Sequence, residues 1–437
     1  MPQNEETRTD YDRDSMLVMQ LRDAAEIVTY VTGEARSSFY RELYGLRPED
    51  PALHIQSKEQ WEALPFLTKT DLLAKSLAER SFIPLSEIDH LRVSSGTSGK
   101  GVLFSPRTHV RNMDYRLKYH TFENAFMAFT TPMMPHWHEL FQKEHGRLPR
   151  VIAYDPANPV ASVRLAQSAG VDGMSVFIFH ITAIGEEMKR LGFAHQIRFL
   201  EVTGEMCTRA QFEYMRDTFP HATIVQSYNS SEVEDAHIGI PCRPITGEEP
   251  LAVYHSKQTH YLELVDPETG ALVEPKPGAE GDLAITAYPG EPSAFPLVRF
   301  RIGDTVRVVE EHCPHGSWSF TVLGRTEMDF LKIPGGVLRA DEIERVLRTM
   351  PDEVSDRFEI HCLEKAGANG PLLSPLLRVE LKKEVDLPAL AARISQAVRV
   401  STQMTYADGV AEGRYALITC EAFQPSLGSK TKRILHS

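Results

Sequence analysis

The sequence predicts an α/β protein with a large N-terminal domain over residues 1–330 and a small α+β C-terminal domain over residues 331–437. Between residues 150 and 225, short apolar runs alternate with helical patterns, as in a parallel sheet covered by helices on both faces. After about residue 245, short strand-like runs separated by Pro- and Gly-rich turns indicate a β-rich subdomain of the large domain. The tail then carries strands and a helix of its own, which predicts the separate small domain.

The individual elements are predicted from local spacing. Residues 16–45 show apolar side chains at helical intervals, and Thr68 is a candidate N-cap for the helix that follows it. A linker is expected near Phe330–Gly336, between the two domains. Strands are expected at 151–154, 174–180, 199–202, 222–225, 261–265, 281–286, 305–309, 356–362, 375–382 and 414–421. Helices are expected at 160–168, 182–192, 208–218, 340–349 and 386–398.

Composition excludes several classes of protein. The 437 residues carry a net charge of −13, which disfavours a nucleic-acid binder and opposes docking on anionic membranes. No apolar run approaches the ~20 residues of a membrane span, and residues 1–14 lack the apolar core of a secretion signal. Five scattered cysteines, an odd number, argue against a disulfide framework and favour a reducing cytosol. We therefore expect a cytoplasmic protein with neither a nucleic-acid nor a membrane partner.

The segment from Ser94 to Gly101 is a loop rich in glycine, serine and threonine that lies between two apolar runs. Glycines let backbone N–H groups turn toward an anion, hydroxyls add donors, and Lys100 adds a positive charge, so the composition suits phosphate binding. A P-loop would need glycine in place of Ser94 and serine or threonine in place of Gly101, which excludes that class. The loop alone also fits an ordinary surface turn, so the rest of the chain has to decide between the two.

Further segments carry residues suited to a nucleotide. Tyr228 and Glu232 follow a predicted strand, where a parallel sheet binds its ligands; the ring could stack on a base and the carboxylate could hold Mg²⁺. Asp304, in a predicted Gly-Asp turn, could accept hydrogen bonds from a ribose. Arg325 lies at the expected domain junction, where charged residues flanked by glycine suit a hinge. Each of these features alone also fits an ordinary turn, and Lys430 alone fits a disordered basic tail.

In this order and at these separations, the segments resemble the adenylate-forming superfamily, and within it the phenylacetate-CoA ligase branch. The loop at 94–100 and the Leu-Pro-Phe-Thr-Lys-Asp-Leu-like element at Leu64–Leu72 carry the resemblance, which extends from about residue 60 to the end. It implies an ATP- and Mg²⁺-dependent ligase that joins a carboxylic acid to coenzyme A through an acyl-adenylate and releases AMP and pyrophosphate. An aromatic acid is favoured by family analogy alone.

The resemblance also implies a role for each matching residue. The nucleotide would be bound by Ser95, Gly96, Thr97, Ser98, Gly99 and Lys100 around the phosphates, by Gly204, Glu205 and Tyr228 around adenine, and by Asp304 at the ribose. The catalytic set would be Glu232 as the Mg²⁺-associated acid, Arg325, and Lys430, with Lys432 as the alternative lysine. In the family the small domain rotates between the two half-reactions, and Glu327, Met328 and Asp329 are the candidate hinge residues.

The resemblance extends to a structural zinc found in some members of the branch. The matching residues are Cys242, His255, Cys313 and His315, and two Cys with two His suit tetrahedral zinc. Two buried thiols and two surface histidines would fit the same pattern. The chain also departs from the family: Asn229 replaces the glycine that follows the aromatic residue, although asparagine tolerates a left-handed backbone. Residues 136–175 lack the family's Gly- and aromatic-rich stretch, which leaves the acid open.

Two other functions stay open. An adenylating ligase could pass the acyl or AMP group to an amine, a carrier protein or a deazaflavin cofactor instead of coenzyme A. A catalytically silent nucleotide-binding protein is the other alternative, and the joint presence of Glu232, Asp304, Arg325 and Lys430 argues against it. The expected partners are therefore small molecules, and the oligomeric state is open, with a homodimer among the alternatives.

Overall fold

The fold was analysed in a computed structural model of the 437-residue chain. The structure describes residues 19–33, 37–88, 90–93, 104–107, 119, 125–128, 150–155, 158–207, 209–234, 237–257, 259–267, 269–288, 293–314, 317–325, 330–334, 336–367, 370–401, 404–424 and 434–436. Within these ranges, no helix has the length and apolar character needed to span a bilayer.

The chain divides into two compact units. One runs to Ile302 and includes Val306–Val322, and the other comprises Gly303–Thr305 and the chain from Leu323 onward. The sequence places the domain boundary at residue 330, whereas contacts divide the chain within a strand that spans Ser319–Arg325.

Short helices precede the first strands. They are α1 (Leu21–Thr32), α2 (Phe39–Leu43), α3 (Lys58–Glu62), α4 (Lys69–Leu73) and α5 (Leu77–Arg80), followed by a 3₁₀ turn at Leu85–Glu87. Helix α1 buries an apolar face because Ala24, Ile27, Val28 and Val31 recur at helical spacing. The predicted N-cap of α4 is confirmed. The Asp71 N–H donates to Thr68 Oγ1 while the Asp71 carboxylate accepts from the Thr68 N–H, so the two residues form a capping box.

A hairpin follows these helices. Its strands are β1 (His90–Val93) and β2 (Phe104–Arg107), which pair antiparallel with Val93 opposite Phe104. The predicted phosphate loop joins these two strands, and its residues 94–101 lie outside the described residues.

The predicted parallel sheet is confirmed. Its strands are β3 (Ala125–Ala128), β4 (Arg150–Ala153), β5 (Gly173–Phe177), β6 (Phe199–Thr203) and β7 (Thr223–Gln226), in the order β4-β3-β5-β6-β7. Every neighbouring pair is parallel, so the carboxyl ends of the strands share one edge. The connecting helices are α6 (Pro159–Ser168), α7 (Ile181–Arg190) and α8 (Arg209–Thr218). The strand predicted at 174–180 ends at Phe177, and a 3₁₀ turn at Ile178–His180 follows it.

The β-rich subdomain is an eight-stranded sheet. Its strands are β8 (Tyr228–Asn229), β9 (His237–Pro241), β10 (Tyr254–Ser256), β11 (His260–Val265), β12 (Leu272–Val273), β13 (Glu280–Ala287), β14 (Leu297–Glu310) and β15 (Ser319–Arg325). The order in the sheet is β12-β11-β13-β14-β15-β10-β9-β8. Only Ser227 separates β7 from β8, so at this residue the chain passes from the parallel sheet into the eight-stranded one.

The second unit contains its own sheet and core. Its elements are β16 (Phe330–Ile333), β17 (Gly336–Arg339), α9 (Ala340–Leu347), β18 (Val354–Gly367), β19 (Gly370–Leu381), α10 (Leu387–Ala397), α11 (Tyr406–Ala411), β20 (Thr419–Ala422) and β21 (Ile434–His436). The sheet order is β20-β19-β18-β21, and Ile343, Val346 and Leu347 of α9 lie in the core. The linker predicted near Phe330–Gly336 is wrong, because β16 and β17 pair there as an antiparallel hairpin.

Candidate functional site

The predicted magnesium acid, Glu232, lies in a mostly buried polar cluster just beyond β8. Lys69 Nζ lies 3.1 Å from Glu232 Oε1, and the two side chains are 14% and 11% exposed. The hydroxyls of Ser230 and Ser231 donate to Oε2 at 2.6 and 3.0 Å. Burial raises the pKa of the Glu232 carboxyl, but the Ser230 hydroxyl and the Lys69 ammonium outweigh that effect and hold the pKa below its usual value. Glu232 is therefore an anion at neutral pH.

Lys69 is a site residue to which sequence reasoning gave no role. It is the first residue of α4, directly after the Thr68 cap, so the capping box fixes where its side chain leaves the helix. A cation at a helix N-terminus is disfavoured by the helix dipole, and the Glu232 carboxylate offsets this effect. Lys69 belongs to the element at Leu64–Leu72, which carries the family resemblance. That resemblance drew attention to the element but did not indicate which residue its lysine contacts.

Arg299 anchors the segment that leads into α4. Its buried guanidinium donates to the carbonyls of Trp61 and Glu62 at 3.0 and 3.1 Å and lies 3.0 Å from the Glu263 carboxylate. The Leu67 N–H donates to the Arg299 carbonyl at 3.1 Å, which ties the segment to β14. Arg299 has a positive φ of 49°, an uncommon conformation for a side-chain-bearing residue. These contacts place the start of α4, and hence Lys69, relative to the eight-stranded sheet.

The carboxyl ends of β6 and β7 are joined by the side chain of Asn229. Its amide Nδ2 lies 2.9 Å from Thr203 Oγ1 and 3.2 Å from Ser227 Oγ. Thr203 Oγ1 donates to the Ser227 carbonyl at 3.3 Å, and the Ser227 N–H donates to the Val202 carbonyl at 3.1 Å. Asn229 lies in strand β8, and Arg299 is the only non-glycine residue with positive φ in the described part of the chain. Asn229 therefore does not adopt the left-handed backbone that asparagine would tolerate.

The predicted adenine-lining segment follows β6 directly. Gly204 has a φ of 96°, a conformation that favours glycine. Gln226 of β7 holds the following residues with both ends of its amide. Its Nε2 donates to the Glu205 carbonyl at 2.5 Å and its Oε1 accepts from the Cys207 N–H at 3.2 Å. The loop after β6 is thus fixed to the neighbouring strand at the ligand-binding edge of the sheet.

Tyr228 and Asp304 lie in more buried surroundings than their sequence context indicated. The Tyr228 side chain is 9% exposed, and its ring centroid is 5.7 Å from that of Tyr254 and 6.0 Å from that of Phe320. Asp304 is buried within strand β14, next to Gly303 with its φ of 84°. The Gly-Asp turn predicted for Asp304 is wrong, because the chain stays in the strand through this position.

The other predicted site residues are less fully described. Arg325 is the last residue of β15. Outside the described residues lie Ser95, Gly96, Thr97, Ser98, Gly99, Lys100, His315, the hinge candidates Glu327, Met328 and Asp329, and both candidate lysines, Lys430 and Lys432.

Three of the four predicted zinc ligands lie together. Cys242 Sγ is 3.1 Å from His255 Nδ1 and 3.6 Å from Cys313 Sγ, and the three ligand atoms all lie within 4.8 Å of one another. The sulfur–sulfur distance is far longer than the ~2.05 Å of a disulfide bond. Two thiolates on a tetrahedral zinc, with Zn–S near 2.3 Å, would lie about 3.8 Å apart. The spacing and the chemistry of the donors therefore fit zinc.

The chain is similar to known CoA ligases in sequence and in structure. No protein-family model matches the chain. A phenylacetate-coenzyme A ligase of Thermus thermophilus is 26% identical over 396 residues, which cover 86% of this chain and 83% of the relative. A solved 2-hydroxyisobutyryl-CoA ligase in the postadenylation state with 2-HIB-AMP aligns with a TM-score of 0.62 and 18% identity, over 100% of this chain and 90% of that one. An anthranilate CoA ligase with anthranoyl-AMP aligns with a TM-score of 0.53 and 16% identity, over 78% and 64%.

The first of these solved structures decides the fold, because the alignment covers the whole chain. The chain has the adenylate-forming CoA ligase fold. The predicted resemblance to the phenylacetate-CoA ligase branch is confirmed by the Thermus relative. Among the described residues, Lys69 contacts Glu232, while Gln226 and Asn229 hold the loop after β6 and the end of that strand. The sequence assigned no role to Lys69.

Proposed function

We propose that the protein is an ATP- and Mg²⁺-dependent ligase that activates a carboxylic acid as an acyl-adenylate and transfers the acyl group to coenzyme A. An aryl acid is the favoured substrate. The proposal is supported by similarity to acid–thiol ligases along most of the chain. The single observation that carries it is the buried Glu232 carboxylate, which is ion-paired with Lys69 just beyond β8, the strand that follows β7 of the parallel sheet.

The residues of the site suit the first half-reaction. A carboxylate attacks the α-phosphate of ATP and pyrophosphate leaves, so negative charge has to be neutralised as two anions approach. Lys69 adds a positive charge beside Glu232, and the loop at Ser95–Lys100 and Lys430 supply further cations and donors in the proposed assignment. The loop after β6, fixed by Gln226, and the Tyr228 ring form the floor for the adenine base.

The donors around Glu232 fit a magnesium ion. The site offers carboxylate and hydroxyl oxygens, which are the ligands that Mg²⁺ prefers. Glu232 Oε1 lies 3.1 Å from the Lys69 ammonium, so a metal ion at this oxygen would share it with the ammonium or displace the ammonium. Mg²⁺ held there would neutralise charge on the phosphate oxygens.

Two assays test the proposed function. Exchange of labelled pyrophosphate into ATP, measured across a panel of acids, reports the first half-reaction. We expect exchange with at least one aryl acid and its loss in Glu232→Gln. Mass spectrometry after adding coenzyme A should then show the thioester. Exchange without a thioester would favour transfer to an amine, a carrier protein or a deazaflavin cofactor, and a lack of exchange with every acid would favour the binding-only alternative.

We also propose that Cys242, His255 and Cys313 hold a structural zinc with His315 as the fourth ligand. Cys242 follows β9 and Cys313 follows β14, so the metal would pin two connections of the eight-stranded sheet. Elemental analysis should find about one zinc per chain in the wild type and in the matched control Cys420→Ser, and none in Cys313→Ser. Protein produced with added zinc and purified without chelator that contains no metal would contradict this assignment.

A further inference from the structure

Asn229 lies two residues after Ser227, where the chain passes from the parallel sheet into the eight-stranded one. It follows Tyr228 in strand β8 and stands three residues before Glu232. Its side chain reaches back to Thr203, at the carboxyl end of β6, and to Ser227, directly after β7. Asn229 therefore lies at the edge of the parallel sheet where ligands bind, between the residues proposed to contact adenine and magnesium.

The hydrogen bonds fix which end of the Asn229 amide faces Thr203. The Thr203 hydroxyl has one proton and donates it to the Ser227 carbonyl at 3.3 Å. It can only accept from Asn229, so the group 2.9 Å away is the amide nitrogen, which also lies 3.2 Å from Ser227 Oγ. The carbonyl oxygen Oδ1 consequently points away from both hydroxyls.

The Oδ1 atom of Asn229 is buried, and no donor among the described residues bonds to it. Buried acceptors in native proteins are almost always paired, because an acceptor that has lost water without gaining a partner is costly. The Asn229 side chain cannot rotate to give Oδ1 another partner without breaking the hydrogen bonds of its nitrogen to Thr203 and Ser227. An acceptor that is oriented by protein contacts and lies at the carboxyl ends of β6 and β7 is suited to receive a ligand donor.

We propose that Asn229 Oδ1 accepts a hydrogen bond from an N–H or O–H group of a bound substrate, and so selects substrates that carry a donor at this point. The inference rests on the proposed function. Two substrate groups could supply the donor at this edge: the amino group of adenine, or a hydroxyl or amino group on the acid. A donor from the acid would make the substrate a hydroxy or amino carboxylic acid rather than an unsubstituted one.

The test uses ligand pairs that differ in one donor. In the nucleotide arm, ATP is compared with the purine triphosphate that lacks the 6-amino group. In the acid arm, mandelate is compared with phenylacetate, anthranilate with benzoate, and 2-hydroxyisobutyrate with isobutyrate. Affinities are measured by calorimetry on the full chain, and pyrophosphate exchange is recorded in parallel. In one of the two arms, the wild type should bind the donor-bearing member of each pair with about tenfold or more higher affinity, as expected for one buried hydrogen bond.

Two variants separate recognition from support of the fold. Asn229→Ala removes Oδ1 and should reduce the preference to near one. Thr203→Val removes the hydroxyl that bonds the amide nitrogen and the Ser227 carbonyl but leaves Oδ1 and the Ser227 Oγ contact in place, and should keep most of the preference. Asn229→Gly, the family's residue, is the second variant if the alanine protein does not fold. Equal weakening of both members of every pair by Asn229→Ala and Thr203→Val would overturn the proposal. The wild type could bind the donor-bearing ligands more tightly but exchange no pyrophosphate with any acid. That result would contradict the proposed function but not this inference.

Discussion

The two carboxylate oxygens of Glu232 have different partners. Oε1 faces the Lys69 ammonium, while Oε2 accepts from Ser230 and Ser231. This arrangement keeps a buried carboxylate ionised before any metal binds, because charge-assisted hydrogen bonds offset the loss of water. A magnesium ion would therefore meet a preoriented anion at this site.

Replacing Lys69 with Met should lower the free energy of unfolding by about 3 kcal/mol, because it leaves the Glu232 charge buried without its cation. Lys75→Met is the matched control, since Lys75 belongs to the same region but pairs with the exposed Glu42 and should matter far less. Urea unfolding measures both. The double variant Lys69→Met with Glu232→Gln should recover part of the loss. Equal effects of the two lysine variants would show that the Lys69–Glu232 pair contributes no more than a surface pair.

The Glu232 carboxyl should also contribute to pH dependence. Its pKa in the folded protein lies below the ordinary 4.5, so its stabilising contribution is present above pH 4.5 and is lost as the pH falls through the lowered pKa. We expect the difference in Tm between wild type and Glu232→Gln to be constant from pH 7 to 5 and to narrow only below about pH 4.5. A difference that already narrows at pH 6 would mean that the pKa is raised instead.

Helix α4 is short, and local and distant contacts hold it in place. The Thr68–Asp71 capping box fixes its first turn, while Arg299 binds the carbonyls of Trp61 and Glu62 in the segment before it. A five-residue helix is not stable by itself, so its position depends on these contacts. The orientation of Lys69 toward Glu232 follows from them.

Removing the cap with Thr68→Ala should cost about 1 kcal/mol of stability, because an N–H at the start of α4 loses its acceptor. The same change should weaken pyrophosphate exchange and shift its magnesium dependence, since it loosens the helix whose Lys69 pairs with Glu232. Thr405→Ala is the matched control, because Thr405 forms the same capping box with Asp408 in the second unit. We expect it to destabilise its own helix while leaving the magnesium dependence of exchange unchanged. If Thr405→Ala shifts the magnesium dependence as much as Thr68→Ala, the cap of α4 has no special role at the site.

The chain divides into two compact units, and the second, which includes the chain from Leu323 onward, contains the position of the proposed lysine. In the proposed function Lys430 serves adenylation, and rotation of the small domain withdraws it before the thiol attacks the acyl carbon and AMP leaves. Lys430→Ala should therefore reduce pyrophosphate exchange by roughly 10²–10³, the effect of losing one preorganised donor. Thioester formation from supplied acyl-adenylate should persist. Lys432→Ala is the control and should retain exchange; the reverse pattern would assign the role to Lys432.

The sequence correctly predicted those features that depend on residues close together in the chain. The alternation between residues 150 and 225 predicted the parallel sheet, and the Thr68 cap was predicted because a capping box needs residues only three apart. It failed at Gly303-Asp304 and at Phe330–Gly336, where glycines predicted a turn and a linker. Strand pairing with neighbours on the sheet overrides a local turn preference, so β14 continues through Asp304 and β16 pairs with β17.

The sequence by itself determined the α/β class, the order of most elements, the resemblance to the adenylate-forming ligases and a set of candidate residues. Only the tertiary structure decided which of these residues meet. Lys69 and Glu232 are far apart in the chain, as are Thr203 and Asn229, and no local pattern links either pair. The physical reason is that hydrogen bonds and ion pairs form between atoms a few ångströms apart, and such distances are set by how the two sheets join at Ser227 and how Arg299 anchors α4.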